Sequence, residues 1–108
     1  MDQTELSAII EKARGDGSDT LDISQEELES LPALIGDLGN LVELDLSGNR
    51  LTKLPPEIGN LTSLTRLNVR NNQLTELPPE IGSLIELTGL FVQENQLSSL
   101  PSQIGNLT

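Results

Sequence analysis

From Leu41 onward the chain repeats itself every 23 residues without an insertion. LVELDLSGNRLTKLPPEIGNLTS starts at Leu41 and LTRLNVRNNQLTELPPEIGSLIE at Leu64. LTGLFVQENQLSSLPSQIGNLT starts at Leu87 and stops one residue short of a full unit. A degenerate copy, SDTLDISQEELESLPALIGDLGN, begins at Ser18 and keeps Leu21, Ile23, Leu28, Leu31, Pro32, Ile35, Gly36 and Leu38 in phase. Units this short cannot bury an apolar face alone and must stack on one another. The expected organisation is therefore 1–17 outside the repeat, then four units at 18–40, 41–63, 64–86 and 87–108.

Each unit has a strand half and a return half. Leu44-Asp45-Leu46, Leu67-Asn68-Val69 and Leu90-Phe91-Val92 alternate apolar and variable residues, the period of a strand with one buried face. Identical strands recurring at a fixed spacing cannot form hairpins with each other, so they stack in parallel. Each return then serves as the crossover. It carries Leu51, Leu54, Ile58 and Leu61 at helical spacing, which predicts a turn or two of 3-10 or α helix packed inward. Pro55-Pro56 and Pro78-Pro79 suit its first turn, where the N–H groups are unsatisfied anyway. Gly59, Gly82 and Gly105 are expected to allow a backbone turn that a Cβ would hinder. Asn49, Asn72 and Asn95 fall where the chain leaves the strand and strands backbone groups away from water. A carboxamide both donates and accepts, so these three are expected to form a buried structural column. Glu26 occupies the equivalent place in the first copy and only accepts when ionised, so the column should begin at Asn49.

The pattern LxxLxLxxNxLxxLPxxIGxLxx resembles the leucine-rich repeat of the 23-residue type, over roughly residues 18–108. Its LPPEIGNLTSL return resembles cytoplasmic Ras-group leucine-rich repeat proteins and the repeats that precede Roco-type GTPase domains. The resemblance implies an α/β solenoid with a short parallel sheet on its concave side and 3-10 or α turns on its convex side. It also implies a non-catalytic module with a protein partner or, as the alternative, an N-terminal regulatory or scaffold segment of a larger signalling protein such as a Roco-type GTPase.

Ahead of the repeats, Leu6, Ile9, Ile10 and Ala13 form one stripe of an amphipathic helix. Asp2 or Thr4 can cap its start, Asp2 and Glu5 together resembling a capping box, and Gly15 or Gly17 can end it. The simplest role is to cover the open side of the first repeat. Residues 1–40 hold ten acids and two bases, which disfavours docking on a membrane.

Composition narrows the function further. The core must be built from 22 leucines, 8 isoleucines and 3 valines, because Phe91 is the only aromatic residue. Six basic against 17 acidic residues give a net charge of −11, which argues against nucleic acid and anionic lipid as partners. Cysteine and histidine are both absent, which removes thiolate catalysis, disulfides, and the commonest general base and metal ligand. No paired carboxylates or clustered glycines suggest catalysis or a phosphate loop, so neither an enzyme nor a cofactor is expected. Met1-Asp2-Gln3-Thr4-Glu5 is acidic where a secretory leader is basic, so the expectation is a cytoplasmic protein.

Weaker motifs read more simply as parts of the repeat. The sequons at Asn60-Leu61-Thr62 and Asn106-Leu107-Thr108 lie where the repeat itself requires Leu and polar flanks. The stretch Asp16–Asp22 spaces oxygen donors faintly like a calcium loop, but no bidentate Glu or flanking helix pair completes it. Binding specificity must then lie where the repeats differ, beside the strand leucines. Three columns result: Thr20, Glu43, Arg66, Gly89; then Asp22, Asp45, Asn68, Phe91; then Ser24, Ser47, Arg70, Gln93. The candidate partner-binding residues are Glu43, Asp45, Arg66, Asn68, Arg70, Phe91 and Gln93, with Glu43 and Arg66 expected to pair across strands. Phe91 is expected to be an exposed anchor. Self-association is expected through the last repeat, where Leu90, Val92, Leu97, Leu100, Ile104 and Leu107 would have one uncovered flank.

Overall fold

The fold was obtained as a computed structural model, which describes residues 1–102. Helix α1 (Gln3–Asp16) leads into four three-residue strands, β1 (Thr20–Asp22), β2 (Glu43–Asp45), β3 (Arg66–Asn68) and β4 (Gly89–Phe91). They form one parallel sheet in the order β1-β2-β3-β4. Every pairing steps by 23 residues, as in Leu21↔Leu44 and Leu44↔Leu67. Register is thus the sequence period made physical. On the far side of each crossover lies a 3-10 turn: Ala33–Asp37, Pro56–Asn60 and Pro79–Ser83. The chain is an α/β solenoid, with the sheet lining its concave side.

Between sheet and turns lies the leucine core. Leu46, Leu51, Ile58 and Leu61 are fully buried, and so are Leu64, Leu67, Val69, Leu74 and Ile81 in the next coil. At one end α1 lays Leu6, Ile10 and Ala13 onto the first coil, while Ile9 is only half-buried. Asp2 Oδ1 accepts the Glu5 N–H at 2.8 Å, and the chain turns out of the helix through Gly17 at φ 62°. The Met1 ammonium donates to the Glu26 carbonyl and Gln3 to that of Ser30, tying the helix to the first return. This arrangement makes α1 a cap.

The asparagine column begins at Asn49. Its Oδ1 accepts the N–H groups of Glu26 and Leu28, and its Nδ2 donates to the carbonyls of Ile23 and Leu46. Asn72 repeats this one coil on, accepting from Leu51 and donating to Leu46 and Val69. Both are buried, at 6% and 7% exposure. Asn95 makes the same bonds to Leu74, Val69 and Val92 but is half-buried, contrary to expectation, because no further coil is stacked over it among the described residues.

The glycines of the returns have a different reason from the expected one. Positive φ among glycines occurs at Gly17 and Gly48, not in the 3-10 turns. A Cβ on Gly59 would instead lie 2.8 Å from the Glu80 carbonyl oxygen and 2.9 Å from its Cβ. One on Gly36 would lie 2.9 Å from the same atoms of Glu57. These glycines let adjacent coils touch backbone to backbone. Gly82 is buried in the next turn, and Gly105 lies outside the described residues.

Left-handed backbone is needed elsewhere, at the bend after each strand. Gln25, Gly48, Asn71 and Glu94 share one column and have φ of 57°, 69°, 57° and 62°. The N–H groups of Gln25, Gly48 and Asn71 continue the ladder, donating to Ser47, Arg70 and Gln93. These three bends therefore turn the chain while keeping their hydrogen bonds. A side chain with a Cβ costs roughly 1–2 kcal/mol in this conformation, so Glu94→Gly is expected to stabilise the protein by up to about 1 kcal/mol. Urea denaturation with unchanged slope would measure it.

Candidate partner-binding face

The residues between the strand leucines project from the concave side of the sheet. Glu43, Arg66 and Gln93 are exposed, and Asp45, Asn68, Arg70 and Phe91 are half-buried. The second column is partly occupied with its own backbone. Asp22 Oδ1 accepts both the N–H (3.0 Å) and the hydroxyl (2.6 Å) of Ser24. Asp45 does the same with Ser47, and Asn68 Oδ1 accepts the Arg70 N–H. These two-residue loops cap the strand ends. The Ser24 hydroxyl, then its N–H, hold the Asp22 carboxyl below its ordinary pKa, against a small opposing effect of burial. The signal in the sequence was Asx-x-Ser in DIS and DLS, which the column reading passed over.

Phe91 breaks that pattern, since it stands where the first three coils place an Asx residue. Its ring is covered by two guanidinium groups instead. Arg70 Cζ lies 4.5 Å and Arg66 Cζ 5.1 Å from the ring centre. Arg70 Nε also donates to Gln93 Oε1 at 3.1 Å. Each guanidinium–ring contact is worth about 0.5–1 kcal/mol when exposed, and together they fix the orientation of three side chains.

This overturns the expected Glu43–Arg66 pair. Their Cα positions are in register, yet the two side chains form no ion pair among the described residues. Arg66 turns the other way because its other strand neighbour is Gly89, which carries no side chain. A Cβ there would come within 3.1 Å of the Phe91 ring and 3.6 Å of Arg66 Cγ. Gly89 is therefore a positioning residue that the sequence reading left out of the site. Its mark was a lone glycine in a column otherwise polar or charged.

On the other side of the face, Thr20, Asp22, Glu43, Asp45, Arg66 and Asn68 line a shallow depression of about 310 Å³. The arrangement presents carboxylates over β1 and β2 and an arginine–phenylalanine stack over β3 and β4. No group of three or more Asp, Glu, His or Cys among the described residues is placed to hold a metal. No helix among them is long and apolar enough to cross a membrane.

Comparison with known proteins agrees with this geometry. A model of a leucine-rich repeat region matches residues 43–108. Among solved structures, a leucine-rich repeat protein of Leptospira interrogans is 32% identical with a TM-score of 0.55, the match covering 90% of this chain and 37% of that one. An internalin of Listeria monocytogenes is 27% identical with a TM-score of 0.66, covering 82% of this chain and 24% of its own. This chain thus spans well under half the length of either. No curated protein sequence matches it. With the repeat model matching more than half of its residues and the same stacked-coil architecture, the chain belongs to the leucine-rich repeat family.

Proposed function

We propose that the protein is a non-catalytic interaction module that binds a protein partner in the cytoplasm through the concave face of its sheet. The observation that carries this reading is the stack of Arg66 and Arg70 on Phe91, beside the carboxylates of Glu43 and Asp45. Coil interiors and convex turns are nearly the same from repeat to repeat, so they hold little information for selecting a partner. The first concave column differs at every strand, the other two change from β3 onward, and all three sit on a rigid backbone, so little entropy is lost on binding. An arginine fork and a phenyl ring are the side chains that most often dominate an interface. The absence of histidine and cysteine leaves catalysis without its usual groups. Nucleic acid and membrane are disfavoured by the charge of −11.

The test is a comparison of proteins captured from the source cell by the wild type and by two variants. Arg70→Glu with Phe91→Ala is expected to lose the partner, whereas Glu57→Gln with Glu80→Gln, on the convex turns, is expected to keep it. The opposite result overturns the assignment. Self-association through the last coil belongs to the same proposal. It is supported by Leu100 at 50% exposure and by half-buried Leu90, Val92 and Leu97, while Ile104 and Leu107 lie outside the described residues. Sedimentation at rising concentration should show a dimer; a strict monomer overturns this part.

A further inference from the structure

The cations of this chain are not all used in the same way. Lys12 pairs with Asp16 at 3.2 Å, Arg14 with Glu11 at 2.6 Å, and Arg50 with Glu27 at 3.8 Å. Arg66 and Arg70, like Lys53 in the return of the second coil, pair with no carboxylate among the described residues, although acids outnumber bases by 17 to 6. Both lie on the phenyl ring of Phe91 instead. A guanidinium stacked on a ring keeps its N–H donors at its edge, free for an acceptor in its own plane. Arg70 spends one, Nε, on Gln93. Its terminal nitrogens have no protein acceptor among the described residues, and neither does any guanidinium donor of Arg66.

The surroundings limit which anion these donors suit. Glu43 is the register partner of Arg66, and Asp45 that of Asn68, each one strand step away. Adjacent strands are about 4.8 Å apart, so a second negative charge on the ligand would meet these carboxylates. A phosphate dianion or a run of acids is therefore penalised more than a single carboxylate. Beside the fork, the half-buried Phe91 ring offers apolar area to a neighbouring side chain.

Building on the concave-face reading, we infer that Arg66 and Arg70 hold one isolated carboxylate of a partner protein segment, next to an apolar side chain that covers Phe91. Glu43 and Asp45 act as a repulsive margin that selects a single acid over a polyanion. Gly89 supports the site by leaving room for the ring, so a larger residue there displaces Phe91 and releases Arg66.

The test uses the full chain labelled with nitrogen-15 and four synthetic peptides that share a leucine next to the varied position. The varied position holds one glutamate, one glutamine, three consecutive glutamates or one phosphoserine. The single-glutamate peptide is expected to shift the Arg66 and Arg70 Nε–H resonances, and the glutamine peptide is not. Arg66→Gln with Arg70→Gln should weaken binding about tenfold, as loss of a charged hydrogen bond implies. Gly89→Val should also weaken it, by releasing Arg66 from the ring although both arginines remain in the sequence. Tighter binding of the triglutamate or phosphoserine peptide overturns the inference, as does the absence of any shift at about 10 mM peptide, where even millimolar affinity is visible. If peptides perturb the concave face but the arginine variant binds equally well, this inference fails and the proposed face stands. Shifts confined to the convex turns around Glu57 and Glu80 overturn both.

Discussion

Asn72→Ala is expected to lower the stability of the protein by about 3 kcal/mol, the upper end of what an unpaired buried polar group costs. The side chain is buried and satisfies groups in two coils at once. Its Oδ1 takes the Leu51 N–H, and its Nδ2 serves the carbonyls of Leu46, Val69 and, at 3.2 Å, Arg70. Water cannot replace these bonds in a leucine core. At roughly 4–8 °C per kcal/mol for a domain of this size, thermal denaturation should show a fall of well over 10 °C. Asn95→Ala should cost less, because Asn95 makes the same bonds while half-buried. Asn68→Ala should cost less again, near 0.5–1 kcal/mol for one hydrogen bond, since it removes only the cap on Arg70. Equal losses at Asn72 and Asn68 would contradict this account.

Gly59→Ala should also be costly, at about 1–3 kcal/mol for forcing an extra methyl into a packed contact. The new Cβ would meet the carbonyl oxygen and Cβ of Glu80, which belong to the next coil and cannot swing aside as a side-chain tip would. Relief requires the two coils to move apart, which strains the crossover and the sheet together. Gly15→Ala is the opposite case. It lies within α1 with nothing within 4 Å of the new methyl, so alanine should stabilise it by about 0.5–1 kcal/mol. Urea titration of both variants compares the two effects directly.

These cases show which parts of the structure were legible in the sequence. Strand register and the start of the asparagine column follow from spacing, because a periodic pattern with a buried face permits only one phase. The helix cap was open between Asp2 and Thr4 until the structure placed it at Asp2. The role of Gly59 was not legible. Its glycine marks a close approach to Glu80, and nothing in a linear pattern distinguishes that from a turn. The left-handed bends were half visible: Gly48 and Asn71 suit them, whereas Gln25 and Glu94 hide them. On the concave face the sequence indicated which residues share a column but not where their side chains turn. Arg66 had Glu43 on one side and Gly89 on the other, and the choice depended on the ring two residues further along β4. Open surfaces leave rotamers undecided in a way that a packed core does not.

The gradient of packing along the coils has a thermodynamic consequence. Leu67, Val69 and Leu74 are fully buried, while their counterparts Leu90, Val92 and Leu97 one coil later are only partly so. In a stacked chain whose units touch only their neighbours, opening a unit costs what its own interfaces contribute. Among the described residues, the coil that carries Gly89, Phe91 and Gln93 is therefore held less tightly than the one before it and is the easier of the two to tighten. A partner seated on Phe91 would spend part of its binding energy tightening this coil, so recognition and local folding become one linked equilibrium. Affinity would then report on local folding as much as on contact, and changes far behind the sheet, at Leu97 or Leu100, would weaken binding without touching the ligand.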